Sequence, residues 1–189
     1  MDTQTWIIVA IVVIALIAVA AALIYRAKQT SRLRERFGPE YGRTVERMGD
    51  AGKAESELMA REKRVRAMRI VPLSPADATR FSHQWREVQG RFVDDPQRAA
   101  GQAQKLVQEL MEKRGYPMGD FERCASDISV DHPVVVENYR AAQVIVTRHE
   151  KDTEQLRRAL VHYRALFDEL LEVDPDKRAE PKRADAVIH

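Results

Sequence analysis

The hydrophobic pattern changes character twice along the chain. Trp6 to Tyr25 (WIIVAIVVIALIAVAAALIY) is a run of twenty residues without a charge, a glycine or a proline. As a helix rising about 1.5 Å per residue it spans roughly 30 Å, the thickness of a bilayer's hydrocarbon core. From residue 26 to 70 the apolar positions thin to a stripe of Leu33, Phe37, Tyr41, Val45, Met48, Leu58, Val65 and Met68 on a heavily charged background. That stripe predicts helices packing along one narrow seam: a continuation of the span to Phe37, then Pro39 to Met48 and Ala51 to Ile70. Gly38-Pro39 and the glycines at 49 and 52 are the breaks. Beyond Val71-Pro72 the seam becomes regular. Phe81, Trp85, Val88 and Phe92 recur at spacings of 4, 3 and 4, as do Ala99, Ala103, Leu106 and Leu110. Val135, Tyr139, Ala142 and Val146 repeat the pattern, and Leu156, Leu160, Tyr163, Phe167 and Leu170 continue it. Each set marks one face of an amphipathic helix.

Helix punctuation agrees with this division. Ser74-Pro75-Ala76-Asp77 and Asp95-Pro96 each place a capping oxygen ahead of a proline at the first helical position, and Asp131-His132-Pro133 reads the same way. These starts predict helices from Pro75 to about Val93, from Pro96 to Gly115, and behind Pro133. A short helix near Asp120 to Ser129 packs through Phe121 and Ile128, and a last one runs to about Val173. No window alternates as a strand does. The expected fold class is all-α: a single N-terminal transmembrane helix (6–25) behind a short extracytoplasmic N-terminus (1–5). A charged juxtamembrane helical spacer (26–70), a small helical bundle (74–173) and a disordered tail (174–189) follow. Amphipathic helices of this kind bury their seams against one another as an antiparallel bundle or as two packed hairpins.

Charge gives the apolar run a direction. The 189-residue chain has a net charge of +2, too small for a bulk nucleic-acid binder. Residues 1–25 carry one acid and no base, whereas residues 26–70 carry 13 basic and 7 acidic side chains. Arg26, Lys28, Arg32, Arg34 and Arg36 follow the run directly, so the positive-inside rule places the N-terminus outside and the C-terminal part in the cytoplasm of a single-pass protein. Trp6 and Tyr25 stand at its two ends as interfacial aromatics. A cleavable signal peptide would want basic residues ahead of a shorter apolar run. Ala18-Val19-Ala20 has the form of a cleavage site, so a secreted product remains the alternative.

Candidate chemistry is sparse, and no catalytic, cofactor-binding or metal-ligating residues are assigned. His149 and His162, with Glu150, Asp152 and Glu154, flank the last helical connection but lack the compact spacing of a metal site. Cys124 is the only cysteine and has no base partner in view. Asp95 and Asp131 are better explained as helix caps, and Asp94 as a loop acid, than as catalytic carboxylates. The aromatic set Phe81, Trp85 and Phe92 suits a bundle core better than the wall of an apolar-ligand pocket. No nucleotide-binding or nucleophile motif occurs. The five basic residues would gain about 1 kcal/mol each beside an anionic leaflet, making anionic lipid a partner alongside the bilayer itself.

Several segments, taken together, carry a resemblance. They are Arg32-Leu-Arg-Glu-Arg-Phe-Gly-Pro-Glu-Tyr41, Arg91-Phe-Val-Asp-Asp-Pro96, Arg114-Gly-Tyr-Pro117, Val130-Asp-His-Pro133 and Leu160-Val-His-Tyr-Arg-Ala-Leu-Phe167. The chain from about residue 32 to 172 resembles a family of bacterial helical proteins with an N-terminal apolar segment, described as hypothetical or secreted. The resemblance implies bacterial origin and a helical fold, and it brings neither an activity nor a site. The expected function is therefore a non-enzymatic interaction or scaffolding module, membrane-anchored at the inner face of the cell membrane, with an unidentified protein partner. The alternatives are a bundle that binds a small apolar ligand or catalyses at an unrecognised pocket, and a stalk in which residues 26–70 form a coiled coil. Four glycines, at 38, 42, 49 and 52, weigh against the stalk.

Overall fold

The structure, a computed structural model, describes residues 3–148 and 152–171, which form eight α-helices and no strand among them. The expected tail 174–189 lies outside the described residues. The chain divides into two compact units, residues 1–59 and 60–189.

In the first unit, α1 (Thr3–Phe37) is one helix of 35 residues that carries the apolar run into the basic stretch without a break. It ends where the sequence requires. Gly38 takes φ +48°, its amide donates to the Arg34 carbonyl at 2.9 Å, and Pro39 opens α2 (Pro39–Met48). α3 (Ala51–Ala67), whose residues fall in both units, starts behind Asp50, whose carboxylate accepts the Lys53 amide at 2.8 Å. Of the thin stripe, Leu33, Phe37, Tyr41, Leu58 and Val65 are buried and Val45 is half-buried, while Met48 is exposed.

The second unit contains the bundle. α4 (Pro75–Arg91) begins with Ser74, whose hydroxyl accepts the Asp77 amide at 3.1 Å and donates to the Asp77 carboxylate at 2.7 Å. α5 (Pro96–Arg114) begins with Asp95 capping the Arg98 amide and stops at Gly115, as the residue types require. α6 (Phe121–Ile128) is capped by Asp120, α7 spans Val136–Thr147, and α8 (Thr153–Leu170) is capped by Asp152. One start differs from expectation. Asp131 does not cap a helix at Pro133: α7 begins three residues later behind Val135, with no side-chain cap. The intervening residues form turns, with the His132 amide donating back to the Ile128 carbonyl at 2.8 Å. α6 is thus followed by turns rather than by a helix from Pro133, and α7 has 12 residues.

The seams meet as two helical hairpins, α4–α5 and α7–α8, joined through α5 and α8, with α6 set against α7. The last helix in sequence is therefore central, touching both α5 and α7. Its Phe167 stacks on Trp85 of α4 with ring centroids 4.5 Å apart, and Tyr139 meets Phe121 at 4.7 Å and Tyr163 at 6.4 Å. Such ring pairs add about 0.5–1.5 kcal/mol each beyond the area they bury. The predicted apolar positions of α5, from Ala99 to Met111, are all buried. Of the set predicted for α7, Val135, just ahead of the helix, and Val146 are only partly covered.

One segment beneath α5 is pinned. The Val71 amide donates to the Arg114 carbonyl at 2.9 Å, and Gly115 (φ +97°) passes so near residue 69 that a β-carbon there would lie 2.4 Å from the Arg69 carbonyl oxygen.

Candidate functional site

The stretch of α1 on either side of Arg26 is where the charge pattern becomes geometry. Ahead of Arg26, the described apolar side chains of α1 stand clear of the rest of the protein: Trp6 is 63% exposed, Tyr25 is 70% exposed, and Ile11, Ile14, Leu16, Ile17 and Leu23 are all exposed. By helical rise, Trp6 and Tyr25 are separated by roughly 28 Å along the axis, the spacing of two interfacial belts. The helix is long and apolar enough to cross a membrane, a property that a signal sequence shares.

Arg26, Lys28, Arg32, Arg34 and Arg36 are all exposed on the same unbroken helix. They are not equivalent. The Arg34 guanidinium sits over the Tyr41 ring, 5.2 Å from its centroid, and so belongs to the α1–α2 contact. The other side of α1 is occupied by protein. Leu33 and Phe37 are fully buried, the Thr30 hydroxyl donates to Glu55 Oε1 at 2.7 Å, and the Gln29 amide donates to the Met59 sulfur. Tyr41 Oη donates to the same Glu55 oxygen at 3.0 Å. Glu55 therefore ties α1, α2 and α3 together, a role that its position in the sequence did not signal.

The second unit holds a buried ionic cluster that sequence reasoning missed. Asp127 of α6 is fully buried, and its Oδ1 receives both Nε and a terminal nitrogen of Arg64 at 2.8 Å, while Oδ2 has no partner among the described residues. Tyr116 is buried with its hydroxyl unpartnered among the described residues, and its ionisation is pushed well above the ordinary phenol range by burial, with Asp131 and Asp127 adding to it. Arg114 is buried and donates to the Leu170 carbonyl at 3.1 Å, satisfying one of the orphan carbonyls that end α8. His132 faces Glu169 at 3.1 Å. Arg61 and Glu62 on α3 are buried as well. Nothing in the pattern announced these charges. Cys124 to Ile128 are five consecutive buried residues, so this stretch of α6 has no exposed face from which a periodicity argument could separate Asp127. Arg61 and Glu62 fill the interval between Leu58 and Val65, where the stripe looked thin because polar residues occupy its seam.

The remaining sequence candidates have structural places. Cys124 is buried, its Sγ lies 3.2 Å from the Pro117 carbonyl, and burial pushes its thiol ionisation up, which leaves it a poor nucleophile. His162 bonds Asn138 of α7 at 2.8 Å. Asp152 caps α8, and the exposed Glu154 is held at about 2 by Arg157 and Arg158. His149 and Glu150 lie outside the described residues. Among the described residues no group of three or more His, Cys, Asp or Glu side chains is placed to hold a metal. Phe81 and Trp85 are core residues, and Phe92 is partly buried at the edge of the same core. The groove between α4 and α5 is open, with Val88 and Leu106 among the charged and amide side chains of Gln84, Glu87, Arg91, Gln102, Lys105 and Glu109.

Comparison with protein-family models, with curated proteins and with solved structures found no match to this chain.

Proposed function

We propose that this protein is a single-pass, membrane-anchored helical module that displays its bundle to a protein partner at the inner face of a bacterial membrane, and that it is not an enzyme. The observation that carries the reading is the character of α1: a helix with an exposed apolar surface continues unbroken into an exposed basic flank. Bases stand on one side of the run alone, which favours a cytoplasmic bundle. The non-enzymatic part is supported by what the reactive side chains do. Asp95, Asp120 and Asp152 cap helices, Asp127 is paired with Arg64, and the Cys124 thiol is held protonated. Bacterial origin rests on the sequence resemblance.

A cytoplasmic reporter fused after residue 171 should be active and an extracytoplasmic one inactive. The chain should resist alkaline carbonate extraction and retain Met1 or Asp2 by mass. The opposite reporter pattern would overturn the orientation. A mature mass starting after Ala20 would select the secreted alternative that Ala18-Val19-Ala20 allows. Crosslinking in cells should then join the bundle to one recurring protein; its absence would remove the partner from the proposal.

A further inference from the structure

Of the five basic residues behind the span, only the two nearest it are placed to meet lipid. We propose that Arg26 and Lys28 contact anionic phospholipid headgroups in the leaflet from which α1 emerges, while Arg34 serves the protein's own fold. The inference rests on the reading of α1 as a membrane-spanning helix.

Continuity of α1 converts sequence position into height. With Tyr25 at the interface and about 1.5 Å of rise per residue, Arg26 and Lys28 stand roughly 2 and 5 Å beyond it, Arg32 about 10 Å, and Arg34 and Arg36 about 14 and 17 Å. The field of an anionic leaflet decays over a Debye length of about 8 Å at physiological salt. Weighted by that decay, Arg26 and Lys28 together hold about 70% of the attraction of all five. A break after Tyr25 would have let every base fold down to the surface; the intact helix prevents it.

Local packing sharpens the division. Arg26 and Lys28 are exposed and precede the point where α1 meets α3, at Gln29–Met59 and Thr30–Glu55. Past that point the helix is engaged: Leu33 and Phe37 are buried and Arg34 lies on the Tyr41 ring. Recruiting Arg34 to lipid would remove that cation–π contact. Arg26 and Lys28 lie about 200° apart around the helix, so they reach different lipids rather than gripping one. The partner is thus a charged surface of phospholipid and not a single bound headgroup.

The test is lipid selectivity of the full chain, reconstituted in phosphatidylcholine vesicles with trace spin-labelled phosphatidylserine or phosphatidylcholine. The wild type should retain more of the serine lipid, and raising the salt to about 0.5 M should shrink that preference as the Debye length shortens. Arg26→Gln with Lys28→Gln should bring the preference several-fold closer to parity. Arg34→Gln with Arg36→Gln should keep most of it. The charge-preserving pair Arg26→Lys with Lys28→Arg should behave as wild type. Full preference in the first double variant, or equal loss in the second, overturns the proposal. Carbonate extraction of the wild-type chain from the same vesicles would overturn the spanning reading instead, and it is read before any lipid comparison.

Discussion

Two glycines, one inside α5 and one at its end, should respond to alanine in opposite directions. Gly115 ends α5 in the left-handed region at φ +97°, with its amide donating to the Glu112 carbonyl and the Tyr116 amide donating to the Met111 carbonyl. Alanine there costs about 1–2 kcal/mol for the backbone conformation alone. Its β-carbon would also stand 2.4 Å from the Arg69 carbonyl oxygen, so the segment around residue 69 must retreat by roughly 1 Å. Val71 holds that segment to Arg114, and losing the bond adds about 1 kcal/mol. The stiffer unfolded chain returns about 0.4–1 kcal/mol. The expected net destabilisation for Gly115→Ala is about 2–4 kcal/mol, allowing for residual strain. Gly101 lies inside α5, has no positive φ, and a β-carbon there would meet nothing within 4 Å, so Gly101→Ala should stabilise by about 0.5–1 kcal/mol. Urea unfolding of the full chain in detergent, followed by Trp85 fluorescence in a Trp6→Phe background, reads both. Asparagine separates the two causes at position 115, because it tolerates the left-handed backbone but keeps the β-carbon: Gly115→Asn should remain destabilising. A change below about 0.5 kcal/mol in Gly115→Ala, or a destabilised Gly101→Ala, would refute the reasoning.

Other consequences follow from the buried charges and phenols. Arg64→Ala leaves Asp127 fully buried without its cation and should destabilise by about 2–4 kcal/mol in the same urea assay, less than a fully enclosed pair because Arg64 keeps 29% of its side-chain surface in water; a neutral result would show that water reaches Asp127. Tyr116, Tyr139 and Tyr163 ionise later when folded than the ordinary phenol value of 10.0, Tyr139 being pushed up to about 12 by burial. The unfolded chain therefore releases these protons first. Their contribution is complete below pH 10 and is lost as pH rises through the folded values, so stability should fall steeply above pH 10. Tyr116→Phe should lessen that slope and, by removing an unpartnered buried hydroxyl, should not lower stability at pH 7.

Local chemistry decided where helices begin and end wherever one residue type carried the information. Ser74, Asp95 and Gly115 acted through hydrogen bonds within three to five residues of themselves, so their roles were legible without a fold. Asp131 carried the same signal and did not act on it, because the turn from Ile128 to His132 competes for the same stretch of backbone. The basic flank was legible as a set of five. Its division was not, since Arg34 depends on Tyr41, a residue on another helix.

The sequence by itself determined the helical class, the apolar length of α1, the one-sided charge behind it and the seams that had to be buried. Each is a property of a residue and its near neighbours, set by periodicity, rise and capping. Only the tertiary structure decided that α8 would be central, that Trp85 would stack on Phe167, that Asp127 and Arg61 would be buried, and that Arg34 would be spent on Tyr41 while Arg26 and Lys28 stayed exposed. Those outcomes depend on which faces meet across long separations, and seams of the same 4-3-4 spacing allow many pairings.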